Sequence, residues 1–203
     1  MLSLRYNIEK NQWDMMPEMR ASRSDACAAI HEGRVYVCGG FDGQTVLNTV
    51  EYFDSEQSEW TIAPPMEMRR SGLSAVSYQG SLVVLGGYNG ETRMNRMERY
   101  DEAMMEWVRM PDMKLAKSNF TTIVVDKKLY AVGGYDGNRT INLVECYDPE
   151  GEAGPGWEFV HCMTIPKSAL GVAVLPEFNE QFSYLKFLQR AAENPDEQHL
   201  VVE

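Results

Sequence analysis

Apolar and polar residues alternate over short runs, as in Arg34-Val35-Tyr36-Val37-Cys38 and Leu129-Tyr130-Ala131-Val132, and turn residues interrupt the runs every 8 to 12 positions. A period of two predicts strands. No segment between the glycines holds apolar residues at i, i+3, i+4 and i+7, so helices are not expected there. The pattern itself recurs: Gly39-Gly40, Gly86-Gly87 and Gly133-Gly134 are 47 residues apart, as are Trp13, Trp60 and Trp107, Pro17, Pro64 and Pro111, and Met19, Met66 and Met113. Trp157 is displaced by three residues, which fall in the loop-like Gly151-Glu152-Ala153-Gly154-Pro155-Gly156, where insertion costs little closure entropy.

Each repeat reads as four short antiparallel strands, in the second repeat A (Ser71 to Ser77), B (Ser81 to Leu85), C (Arg96 to Tyr100) and D (Trp107 to Met110). One such sheet cannot bury both faces, so repeats of this size are expected to stack as twisted blades around a channel. The paired glycines end strand B, where positive φ and close backbone approach are needed. The tryptophans are placed to fill the wider space between outer strands.

The double glycine, the Tyr-Asp about a dozen residues later, the Trp beyond it and the Arg/Lys-Ser step opening strand A together resemble the kelch repeat. The Gly-His and Trp-Asp marks of the WD propeller do not recur: Trp13-Asp14 occurs once, against Trp60-Thr61, Trp107-Val108 and Trp157-Glu158. The expected fold is all-β, an incomplete kelch β-propeller over residues 1–175 with three full four-stranded blades and partial blades at both ends. The chain starts on strands C and D, and Ser168 to Leu175 matches a strand A. In the kelch-like (BTB-BACK-kelch) family such a strand closes a six-bladed ring, so the resemblance implies that about half the ring is present. A four-bladed ring joining that strand to the first C and D is the alternative. An open array would expose blade faces and edges. Residues 176–203 change character: Phe178, Phe182, Leu185 and Leu188 have near-helical spacing and precede an acidic end, which predicts a short amphipathic helix and a disordered tail.

A net charge of −11 opposes a nucleic-acid partner. No run is long enough to span a membrane and no signal-peptide layout is present, so a cytoplasmic location is expected. Cys27, Cys38, Cys146 and Cys162 suit neither a disulfide scaffold nor a zinc site. A turn on Glu32-Gly33 would set Cys27 opposite Cys38, a pair read as small packing residues because no basic neighbour stabilises a thiolate. The sequons at Asn119 and Asn138 are read as chance, and the dispersed methionines as packing.

Alternate loops share a face. The C to D loops sum to −9, whereas the B to C and D to A loops sum to +2. The second face carries one basic-hydroxyl pair per repeat, Arg23-Ser24, Arg70-Ser71, Lys117-Ser118 and Lys167-Ser168, with Phe41, Tyr88 and Tyr135 after the glycines. Such a ring of cations, hydroxyls and aromatics suits an acidic or polar peptide loop. In the kelch-like family these positions line the substrate pocket; Arg93 also matches a pocket position, with Arg139 near one. The same recurrence would equally serve to join blades. Arg93 breaks the repeat, facing Val46 and Thr140 at its register.

His31, His161 and His199 are far apart in the repeat, so neither a metal triad nor a Ser-His-Asp set is expected. No catalysis, metal or cofactor is predicted. The resemblance implies a protein-binding module, the substrate-recognition part of an adaptor for a cullin-3 ubiquitin ligase. Cullin-3 itself would be reached only through BTB and BACK domains that this chain does not contain. An actin-binding cytoskeletal scaffold is the alternative.

Overall fold

The computed structural model describes residues 3–151 and 154–174. The chain divides into two units, Met1–Leu170 and Gly171–Glu203; the amphipathic helix expected after residue 176 lies outside the described residues. In the first unit, β1 (Ser3–Asn7) pairs with β2 (Gln12–Met16). Three four-stranded antiparallel sheets follow, each in chain order: β3 (Cys27–His31), β4 (Arg34–Cys38), β5 (Val50–Asp54) and β6 (Glu59–Ala63); β7 (Ser74–Tyr78), β8 (Ser81–Leu85), β9 (Met97–Asp101) and β10 (Glu106–Met110); β11 (Thr121–Val125), β12 (Lys128–Val132), β13 (Leu143–Asp148) and β14 (Gly156–Cys162). No helix occurs among the described residues.

The predicted second repeat maps onto β7 to β10, with B coinciding with β8 and the limits of A, C and D displaced by one to three residues. β7 starts three residues late because Ser71 forms an isolated bridge with Tyr88 instead of joining the ladder. Ser168 to Leu175 differs more: residues 168–174 form no strand. β3, β7 and β11 each take their ladder bonds from the strand that follows, and among the described residues none follows Ser168. A backbone bond from Ala169 N–H to Asn119 O at 2.8 Å and a side-chain bond from the Thr121 hydroxyl to Leu170 O still tether the segment.

Burial follows the alternation. Tyr36, Cys38, Leu73, Ala75, Leu82 and Val84 join one apolar cluster between the first two four-stranded sheets, while Val83, Leu85, Phe120, Leu129 and Ala131 join another between the second and third. The tryptophan spacing has a direct cause. Trp60, Trp107 and Trp157 donate their indole N–H to the carbonyls of Pro17, Pro64 and Pro111 at 3.0, 2.9 and 3.1 Å, so each outer strand is fastened to the connection before it. Trp13 is 65% exposed.

The glycine pairs form a second joint. Gly40 donates its N–H to Arg70 O at 2.7 Å, and a Cβ on Gly39 would lie 2.3 Å from that oxygen. Any side chain there would displace the neighbouring sheet. The same N–H to C=O bond recurs from Gly87 to Lys117 and from Gly134 to Lys167, both at 2.8 Å. Cys27 does face Cys38 across β3 and β4. Both thiols are free, and burial pushes both to higher pKa, which fits packing residues.

Candidate functional site

The face formed by the B to C and D to A loops holds the predicted site, and the structure separates its members. Arg23, Arg70 and Lys117 do not present their charges there. Each folds inward onto a glutamate of its own sheet: Arg23 to Glu51 at 2.6 Å, Arg70 to Glu98 at 2.5 Å and Lys117 to Glu145 at 2.8 Å, with Arg70, Lys117, Glu98 and Glu145 at 0% exposure. The expectation of four solvent-facing cations is therefore corrected for three. Arg70 also donates to Gly86 O and Arg96 O at 2.6 and 3.0 Å. The opposite carboxylate oxygens accept backbone N–H groups, Arg20 to Glu51 at 2.7 Å, Glu67 to Glu98 at 3.1 Å and Lys114 to Glu145 at 2.6 Å, which ties each connecting loop to the next sheet. Burial pulls the Arg70 and Lys117 pKa values down, and the partner carboxylates counter it.

These glutamates were missed by reading for exposed chemistry. Their signal was present: residues 51, 98 and 145 keep the 47-residue period, and each follows its basic partner by 28 residues within an apolar strand. Lys167 and Ser168 are exposed. The position one period before Glu51 is Leu4, so β1 has no carboxylate with which to complete a fourth pair.

Backbone bridges arrange the remaining residues. Ser24, Ser71 and Ser118 bridge to Phe41, Tyr88 and Tyr135, which bridge on to Val46, Arg93 and Thr140. Ser118 is buried, whereas Ser24 and Phe41 are exposed. Asp42, Asn89 and Asp136 stiffen the loops by accepting the N–H groups two and three residues on. Those bonds hold the Asp42 and Asp136 carboxyls below their ordinary pKa. Tyr88 and Tyr135 donate their hydroxyls to Gly90 O and Gly137 O at 2.7 and 3.0 Å, which leaves the phenol oxygens able to accept.

Arg93 connects two repeats. Its guanidinium carbon lies 5.4 Å from the Tyr88 ring centre and 4.5 Å from that of Tyr135. Both are cation–π distances; the residue is half-buried, and its Nε is buried without a hydrogen-bond partner. Arg139 is 81% exposed and only 3.9 Å from Asp136, a loose ion pair. With the three buried cations removed, the loop segments that summed to +2 carry −1. The face is therefore mixed in charge and carries the aromatics Phe41, Tyr88 and Tyr135.

The profile described as the KLHDC2/KLHL20/DRC7 Kelch-repeats domain matches residues 3–174. The chain belongs to the kelch-repeat family. Kelch-like protein 8 of Mus musculus is 43% identical over 49 residues, which is 24% of this chain and 8% of that protein. A solved structure titled "Structure of YjhT" superposes with a TM-score of 0.71 at 15% identity, covering 82% of this chain and 60% of that one. The match at that identity supports the propeller fold. Over its described residues the kelch chain is thus an incomplete β-propeller of three four-stranded blades, with β1 and β2 as a partial blade, built on a protein-interaction fold. The chain spans a small part of its curated relative's length. No helix of the described residues is long and apolar enough to cross a membrane, which leaves β-barrel spans unaddressed.

Proposed function

We propose that this kelch chain recognises a protein through the B to C and D to A loop face, binding a polar or acidic peptide loop without catalysis of its own. The carrying observation is Arg93, which departs from the repeat and is held between Tyr88 and Tyr135. A guanidinium fixed over two rings has lost much of its rotamer freedom before binding and keeps its planar fork for a carboxylate or carbonyl. Phe41, Arg139 and the exposed Ser24, Lys167 and Ser168 extend the same surface, and Ser71 borders it. Arg23, Arg70, Lys117 and Ser118 act beneath it, setting loop positions.

Family membership and the partial likeness to a kelch-like protein favour the adaptor reading, in which this part selects a substrate for a cullin-3 ubiquitin ligase in the cytoplasm. Fluorescence anisotropy with acidic, neutral and basic peptide panels tests the face. Arg93→Ala should weaken the best binder at least about tenfold, since a desolvated arginine contact contributes about 2 kcal/mol or more, and Glu56→Gln in an opposite-face loop should leave it unchanged. Wild-type binding by Arg93→Ala would move the site elsewhere. Co-purification of cullin-3 with this chain joined to BTB and BACK domains supports the adaptor role; co-sedimentation with actin filaments would favour a cytoskeletal one.

A further inference from the structure

On the opposite, acidic face the fold assembles a group that the repeat spacing disguised. His31, at the end of β3, is 2% exposed, and its Nδ1 lies 3.0 Å from Ser77 Oγ of β7. Its Nε2 is buried without a hydrogen-bond partner and points to Glu102 Oε1 in the β9 to β10 loop, 3.5 Å away. Glu32, in the turn after β3, brings a second carboxylate, and one ligand atom from each of the three residues lies within 4.8 Å of the others. The separation of His31, His161 and His199 along the chain offered no reason to expect a metal set, because the other two members of this group are carboxylates.

We infer that His31, Glu32 and Glu102 form a binding site for a zinc-class divalent cation that joins the blade of β3 to β6 to the blade of β7 to β10. With Nδ1–H donated to Ser77, Nε2 offers a lone pair toward carboxylates, an arrangement of acceptors that a cation resolves. The distance agrees: two ligands each about 2.05 Å from a tetrahedral zinc lie about 3.4 Å apart. The Nδ1 bond to Ser77 is the outer-shell contact that fixes the tautomer of a metal-bound imidazole. Two carboxylates balance the charge of the ion, and imidazole with carboxylate selects zinc and its neighbours over magnesium or calcium. Glu102 is 44% exposed, which provides the entry path. Three protein ligands leave one position for water. The C to D loops, at −9, raise the local cation concentration.

The test is titration of the metal-stripped full chain with zinc chloride against a chromophoric chelator, with thermal unfolding as second readout. One equivalent should bind saturably and raise the melting midpoint by about 5 °C or more at a hundredfold excess over Kd. Glu102→Gln, a change at the surface, should weaken binding at least about tenfold, and His31→Asn, which keeps the Nδ1-side contact to Ser77, should abolish it. A cobalt-loaded sample should show the visible absorption of a tetrahedral nitrogen and oxygen site. Failure to take up zinc, or uptake unchanged by Glu102→Gln, would each overturn the assignment.

Discussion

Replacing Glu98 by Gln isolates the buried ion pairs from the surface chemistry above them. Glu98 Oε1 accepts from Arg70 and Oε2 accepts the Glu67 N–H. A carboxamide has one acceptor oxygen, so its NH2 group must face one of those two donors. The larger effect is electrostatic, because Arg70 at 0% exposure keeps its charge with no counterion. Breaking one partner of a buried pair costs about 3–5 kcal/mol, which for a domain of this size lowers the melting midpoint by about 6–20 °C. In the double variant Arg70→Met/Glu98→Leu the charge cost disappears, while the carbonyls of Gly86 and Arg96 lose a donor; a residual cost of about 1–3 kcal/mol is expected. Chemical denaturation of Arg70→Met, Glu98→Leu and the double closes the cycle, with Glu98→Gln measured beside it. A Glu98→Gln cost under about 1 kcal/mol, or a double variant equal to the sum of the singles, would refute the claim that this cation serves the blade joint.

Gly39→Ala should destabilise by about 2–4 kcal/mol, because its φ is +61° and the new Cβ meets Arg70 O; Gly80→Ala, with φ +75° but open space around it, should cost only about 1–2 kcal/mol in the same denaturation assay. Burial, with smaller contributions from neighbouring groups, pushes the Tyr78 and Tyr130 phenols to about 12 from an ordinary value of 10.0. Their neutral forms are favoured in the fold, so this contribution is complete below pH 10 and fades as pH climbs toward 12. Near-UV phenolate absorbance followed beside circular dichroism should show these tyrosines ionising late and together with unfolding; ionisation near the ordinary value in a folded chain would contradict it.

Much of the architecture is set by the chain alone, since a strand pattern and its turns are local and a 47-residue period repeats the same local choices. The alternation placed β8 at its observed limits, the turn on Glu32-Gly33 paired Cys27 with Cys38, and the glycine pairs announced close backbone approach. Partnership between side chains is different, because it depends on which groups the sheets bring together and how far each can avoid leaving water unpaired. Arg70-Ser71 reads as a surface step until Glu98, 28 residues away, receives the guanidinium inside the sheet. A strand A reads well in Ser168 to Leu175, yet a strand needs a neighbour for its hydrogen bonds. Arg93 reaches Tyr135 across two repeats, and His31 meets Glu102 across a blade boundary, 71 positions along the chain. The period fixed where each loop lies; packing of one blade on the next, through desolvation and charge pairing, decided which loop residues remain available to bind.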